Sequence, residues 1–292
     1  MICLKLEDPL QFDINNLIKP YLIGEIGINH NGSMPVTKKL IDAVHATGWH
    51  CAKFQKRNPD VCVPEHQKGV MRETPWGRMR YIDYKYKVEF EEKEYNCIDS
   101  YCSEKPIDWS ASVWDLDSLE FLMNYDLPFI KIPSAMMTNT HLVREVAMSG
   151  RPVIMSTGMS TLEEVDGAVN NVMKYTDEFA LMHTNSSYPT PVDELNLRLI
   201  PFFKSRYDCV VGYSGHEHDL IPTVLAVALG AQVVERHITI SHDMWGTDQK
   251  SSLEVHAMSM LQKRLANIDR MMGSGIKKVT ESEISIRKKL RG

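Results

Sequence analysis

A chain of 292 residues, 43% hydrophobic and 24% charged, has the make-up of an ordinary globular protein with enough apolar material to bury one large core. Its formal net charge of −5 argues against a global electrostatic grip on nucleic acid, so an anionic ligand must be held by a local cluster. The first residues lack a basic stretch followed by a long apolar one, and no run approaches the length of a membrane span, so a cytoplasmic protein without membrane association is expected.

After an N-terminal extension over residues 1–19, eight short apolar runs alternate with longer segments of helical spacing. The runs are Tyr21 to Gly27, His50 to Gln55, Ile107 to Val113, Leu127 to Ile132, Pro152 to Thr157, Phe179 to Thr184, Cys209 to Ser214 and Gln232 to His237. Eight such units across residues 20–275 predict a single-domain α/β protein, a (β/α)8 TIM barrel. The alternative is a doubly wound open sheet, but no Gly-x-Gly-x-x-Gly turn follows the first run. Helix starts are marked by Ser33-Met34-Pro35 and by the capping-box pattern from Ser160 to Glu164, both just after strand ends. The longest connection, residues 56–86, is polar, carries Trp76, Gly77, Arg78, Arg80 and several tyrosines, and is too long for a plain turn. It reads as a lid over the barrel mouth, with a disordered surface loop as the alternative. A basic helical tail occupies residues 276–292 and reads as a solvated final helix, or else as a docking surface for a separate domain. The six cysteines, at 3, 51, 62, 97, 102 and 209, include no C-x-x-C pair and are expected to be reduced, mostly buried thiols.

A strand buried on both faces is expected to be apolar, so polar residues near its C-terminal end carry information. Such residues are Glu25, Lys53 with Gln55, Ser112, Lys131, Ser156, His183, Ser214 just before His216, and Glu235 with His237, one set per strand. In a parallel barrel these ends converge on one mouth, where such barrels do their chemistry. Lys53 and Lys131, set among hydroxyl side chains, suit a phosphate and a carboxylate, so a dianion site is the sharper reading. The bland one is that both lysines merely pair with Glu25 and Glu235. His216 and His237 end consecutive strands and can reach a common point, which is metal-ligand geometry. Two imidazoles, a carboxylate such as Glu25 and waters suit manganese, and magnesium less well. His183 lies deeper and is divided between a core hydrogen bond and a substrate contact.

At these positions the sequence resembles the sialic acid synthase (N-acetylneuraminate synthase) family, from about residue 20 to residue 290. The carrying motifs are Ile23 to Gly32, Lys53-Phe54-Gln55, Lys131-Ile132-Pro133-Ser134, Ser156-Thr157-Gly158-Met159, Tyr188-Pro189-Thr190-Pro191, Gly212 to Glu217, and Glu235-Arg236-His237-Ile238-Thr239. Trp76-Gly77 and Trp245-Gly246-Thr247-Asp248 look most like the animal-type branch. The resemblance implies that His216 and His237 bind the metal, with Glu25 an acidic residue beside it. It implies that Lys53, Ser112, Lys131, Ser134, Ser156, Ser186 and Ser214 surround phosphoenolpyruvate, and that Gln55, Tyr188 and Asp248 lie near an amino-sugar aldehyde. The implied reaction is attack by the enol carbon on the open-chain aldehyde, with the metal polarising the aldehyde oxygen, then water addition and loss of phosphate by C–O cleavage. The product would be a sialic-acid-type nonulosonic acid, from N-acetylmannosamine or a related sugar such as a legionaminic acid precursor.

The sequence departs from the family pattern in three places. Met136 stands where an acidic residue is usual, and Ser186 where some relatives have asparagine. The family normally continues into an antifreeze-like C-terminal domain that, in a homodimer, sends an arginine into the partner's site, whereas the sequence here ends at Gly292. Two further readings are therefore kept: a related synthase of another keto sugar acid, and a non-catalytic barrel that has lost its sugar-binding domain.

Overall fold

The computed structural model describes residues 12–291. In chain order the strands are β1 (Tyr21–Gly27), β2 (Cys51–Lys56), β3 (Met71–Arg72), β4 (Met79–Arg80), β5 (Asp108–Val113), β6 (Ile130–Ile132), β7 (Val153–Ser156), β8 (Phe179–Thr184), β9 (Val210–Gly215), β10 (Val233–Thr239) and β11 (Leu253–Glu254). Apart from the β3–β4 hairpin they form one parallel sheet, and β1 pairs with both β2 and β10, which closes it. The registers Glu25 with His237 and Glu25 with Lys53 bring the first, second and last polar strand ends level.

The helices are α1 (Met34–Ala46), α2 (Pro59–Cys62), α3 (Glu65–Lys68), α4 (Tyr81–Val88), α5 (Glu92–Glu104), α6 (Leu116–Leu122), α7 (Thr140–Ala147), α8 (Leu162–Val172), α9 (Leu199–Tyr207), α10 (Ile221–Ala228), α11 (Val255–Leu265), α12 (Ile268–Met272) and α13 (Glu281–Arg291). The anticipated starts are where capping chemistry puts them. Ser33 caps α1, and at α8 Thr161 and Glu164 satisfy each other's backbone N–H groups. The closed barrel with its surrounding helices is the predicted (β/α)8 architecture. Seven of the eight predicted runs match a barrel strand to within two residues at each end. The exception is β6, which begins at Ile130 rather than Leu127 because Pro128 has no N–H to give the ladder.

The connection over residues 56–86 is folded, with α2, α3, the β3–β4 hairpin and the first residues of α4. Tyr84 of α4 and Trp76 of the hairpin turn pack edge-on against Trp245, at 5.2 and 6.5 Å between centroids, which fastens this segment to the loop after β10. Helix α13 is exposed along its length.

One apolar layer lies between sheet and helices, and a second fills the barrel from below. Ile23, Phe129, Ile154, Met182 and Val233 plug the interior, with Phe12 sealing it from beneath, 4.7 Å from Tyr21 and 5.0 Å from Phe129 between centroids. The bottom is closed, so polar chemistry is confined to the C-terminal mouth. Among the described residues Cys51, Cys62, Cys97, Cys102 and Cys209 are free, and no helix is long and apolar enough to cross a membrane. Cys3 lies outside the described residues.

Candidate active site

Alternation along β2 points Lys53 and Gln55 into the barrel. The Lys53 ammonium lies 2.6 Å from Glu25 and 3.7 Å from Glu235, and donates to the Ser112 hydroxyl at 2.8 Å. Burial pulls this group down, but the Glu235 and Glu25 carboxylates outweigh it and raise it above the ordinary lysine value. Lys131 donates to Ser156 at 2.5 Å and to the Ile132 carbonyl at 3.1 Å, and forms no ion pair among the described residues. Burial, only partly countered by Glu235 and reinforced by Lys53, pushes Lys131 down to about 8. Lys53 thus pairs with both carboxylates, whereas Lys131 pairs with neither. Burial raises the Glu235 carboxyl, yet Lys53 and Lys131 together hold it below the usual glutamate value.

The serines are positioned by one close approach. A side chain at Gly158 would place its first carbon 2.2 Å from the Ser186 hydroxyl and 2.8 Å from that of Ser134, so only glycine fits between them. Ser134 accepts from the Gly158 N–H at 3.1 Å, and Ser214 donates to Glu235 at 3.3 Å. All five candidate serines line one cavity of about 220 Å³, together with Glu25, Gln55, both lysines, Tyr188 and both histidines. A larger cavity of about 760 Å³ opens beside it and shares Thr184 and Ser186, but its far wall is apolar, with Phe202 and Phe203. It holds neither lysine, so the smaller one is the candidate site.

The Tyr188 hydroxyl sits 2.9 Å from His216 Nε2 and 3.4 Å from His237 Nε2, so each ring aims one nitrogen at a shared point. Their centroids are 5.5 Å apart. His216 Nδ1 meets the Asn185 carbonyl at 2.6 Å; a carbonyl only accepts, so the proton is on Nδ1 and Nε2 keeps its lone pair. Burial and the neighbouring His237 push His216 down to about 3, leaving it neutral, the form a metal binds. His237 Nδ1 is buried without a hydrogen-bond partner. This donor pair fits a divalent cation. The carboxylate of Glu25 is instead engaged by Lys53 and by Gln55, which donates to it at 2.9 Å. Among the described residues no three His, Cys, Asp or Glu side chains group as a metal cage, so two protein ligands are offered and substrate or water would complete the set.

Asp248 does not line the cavity; it stands at the rim, where its charge acts on Tyr188, Tyr84 and Lys85. Met136 packs partly buried against the apolar layer and offers no polar contact. His183 meets the Leu195 carbonyl at 2.7 Å, which decides its divided reading in favour of a core hydrogen bond. Sequence reasoning passed over Trp114 and Thr184, both in the cavity wall. Trp114 directly follows β5, and that position was its one available signal.

A closed parallel barrel whose mouth gathers two lysines, five serines and a pair of imidazoles has the arrangement of an enzyme's active site. The NeuB family matches residues 40–277 of the chain. N-acetylneuraminate-9-phosphate synthase of Drosophila melanogaster is 37% identical over 253 residues, covering 85% of this chain and 67% of the relative. N,N'-diacetyllegionaminic acid synthase of Campylobacter jejuni is 32% identical over 270 residues, covering 91% and 81%. The crystal structure of N-acetylneuraminic acid synthetase from Leptospira borgpetersenii, in complex with citrate, superposes with a TM-score of 0.84 at 28% identity, covering 96% of this chain and 95% of that one. The chain belongs to the NeuB family and is a carbon–carbon bond-forming synthase.

Proposed function

We propose that this chain condenses phosphoenolpyruvate with the open-chain aldehyde of an N-acylated amino sugar, giving a nonulosonic acid and phosphate. The observation that carries the proposal is that Lys53 with Ser112, Lys131 with Ser156, and the two imidazoles all open onto the same 220 Å³ cavity. The ammonium groups and hydroxyls bind the phosphate and carboxylate of phosphoenolpyruvate and hold its enol carbon in place. Burying two ammonium groups and two carboxylates together costs more than their pairing returns, so stability does not account for the arrangement. His216 and His237 would hold a divalent cation, manganese in preference to magnesium, which supplies Lewis-acid polarisation of the aldehyde oxygen. Gln55 and Tyr188 orient the sugar. Tyr188 keeps its proton, since burial pushes its hydroxyl well up, and it donates to the sugar once a bound cation has taken its place between the imidazoles.

The enol carbon bonds to the aldehyde carbon, whose oxygen takes up a proton; water adds at the cationic carbon that bears the phosphate, and phosphate departs with its bridging oxygen. The names of the two relatives differ in whether the product carries a phosphate. A steady-state assay of phosphate release from phosphoenolpyruvate with N-acetylmannosamine and related aldoses, after chelation and after restoring manganese, tests the proposal. Acceptor-dependent and metal-dependent release is expected; no release with any aldose rejects it.

A further inference from the structure

Glu217 and Arg236 belong to the two motifs that carry His216 and His237, yet neither lines the cavity or takes part in the reaction as described. Alternation along β10 points Glu235 and His237 into the barrel and Arg236 out of it, where α10 supplies Thr223. There the guanidinium lies 3.0 Å from the Glu217 carboxylate, with the two side chains 0% and 2% exposed. It also donates to the Glu217 and Asp219 carbonyls, the second at 3.2 Å, and to the Thr223 hydroxyl at 2.8 Å. The carboxylate is held in turn by the Tyr213 hydroxyl, which donates to it at 2.8 Å, and by that of Thr223 at 3.4 Å. A side chain on Gly215 would come within 2.6 Å of the same carboxylate, so the residue just before His216 lies directly against the ion pair.

The two imidazoles are not anchored alike. His237 lies within β10, and pairing with β1 fixes its backbone opposite Glu25. His216 lies one residue past β9, and the β9–β10 pairing ends with Gly215 opposite Arg236. Its ring bonds to the Asn185 carbonyl and its own carbonyl to the Thr190 N–H, both in the loop after β8, so neither bond refers it to β10. The link to β10 is the Glu217–Arg236 pair, which joins the residue after one imidazole to the residue before the other. An ion pair buried this completely returns less than its desolvation costs, and apolar side chains of the same volume would serve the core as well. Apolar side chains would not supply direction, whereas the planar fork of Arg236 holds a carboxylate, two carbonyls and a hydroxyl at set angles.

We propose that Glu217 and Arg236 are positioning residues that set the separation and aim of the two imidazoles, so that affinity for a divalent cation depends on an ion pair buried outside the cavity. This role rests on the metal reading of His216 and His237 given above and adds what holds the two rings in register. Two protein ligands leave the remaining positions to substrate and water, so their preset spacing carries most of what the protein contributes. With the pair removed, the backbone from Glu217 to Asp219 loses its fixed donor and His216 its reference to His237. Lys53 with Ser112 and Lys131 with Ser156 keep their own partners, so the phosphoenolpyruvate end of the cavity is untouched. Loss of such outer partners costs a metal site roughly 10- to 100-fold in affinity.

The test is a calorimetric titration of the full chain, stripped of metal and freed of chelator, with manganese chloride in one arm and phosphoenolpyruvate in another. Glu217→Gln combined with Arg236→Met removes both charges together and so strands neither in the core. Manganese affinity in this double variant is expected to fall by roughly 10- to 100-fold while phosphoenolpyruvate affinity stays level. Arg236→Lys keeps a charge beside Glu217 but cannot span both carbonyls; its manganese affinity should lie between those of the parent and the double variant, and it carries the test alone where the double variant does not fold. Parental manganese affinity in a folded variant overturns the positioning role. Equal weakening of manganese and phosphoenolpyruvate also overturns it, since that is general damage to the fold. His237→Ala separates the two levels: if it binds manganese as the parent does, the metal reading fails and the positioning role with it, whereas loss of binding in His237→Ala with none in the folded variants overturns the positioning role alone.

Discussion

Replacing Lys131 with methionine separates binding from folding. Burial holds the Lys131 ammonium at about 8, against an ordinary lysine value of 10.5. At neutral pH, keeping it charged in the fold therefore costs on the order of 3 kcal/mol relative to the unfolded chain. Methionine has nearly the same shape and no charge, so Lys131→Met removes that cost. Against this gain, the Ser156 hydroxyl loses its 2.5 Å partner, worth about 1 kcal/mol. Glu235 also loses one of its two cationic neighbours while keeping Lys53 at 3.7 Å. The opposed effects should leave stability within roughly 2 kcal/mol of the parent, a shift of only a few degrees in Tm. Phosphoenolpyruvate binding should fall by roughly 10- to 150-fold, since a charged hydrogen bond to the ligand is lost. Thermal melts and calorimetric titration read the two quantities separately. A loss of about 4 kcal/mol or more in stability, the range for breaking a buried ion pair, would refute this reasoning and make Lys131 a structural member.

Lys53→Met should behave in the opposite way: it strands Glu25 and Glu235 as buried carboxylates and is expected to lower stability by about 3–5 kcal/mol in the same melts. Because binding needs the charged form of Lys131, phosphoenolpyruvate affinity should be level below about pH 8 and fall about tenfold per unit above it, and a flat profile would remove Lys131 from the ligand. The stability linkage has the opposite sense. The unfolded chain holds more protons between about pH 8 and pH 10.5, so Lys131's contribution to folding becomes more favourable as pH rises through that window. Gly158→Ala should raise the KM for phosphoenolpyruvate by about tenfold or more, because the added methyl displaces the Ser186 and Ser134 hydroxyls at a cost of about 1–3 kcal/mol. An unchanged KM would show that those hydroxyls do not touch the ligand.

Much of the site could be read from the sequence because it breaks a strong rule. Lys53, Lys131 and Glu235 stand out in strands that are otherwise apolar, and a parallel barrel has one end at which they can meet. Strand limits were legible for the same reason, and the missed start of β6 came from weighing the apolar Leu127 above the missing N–H of Pro128. The folded segment of residues 56–86 was harder to read. Its helices are short and its hairpin strands are two residues each, so no apolar period develops to announce them. Asp248 came from the resemblance alone, and the fold sets it at the rim rather than in the cavity.

The central claim is that one cavity holds phosphoenolpyruvate against two lysines and a metal against two imidazoles. It is tested most directly by a crystal of this protein soaked with manganese and phosphoenolpyruvate, with anomalous data collected at the metal edge. The account predicts one anomalous peak within about 2.0–2.3 Å of Nε2 on both His216 and His237, Tyr188 displaced from between them, and the phosphate of the ligand in contact with Lys53 and Lys131. Manganese bound away from those two rings, or phosphoenolpyruvate bound outside the cavity, would contradict it.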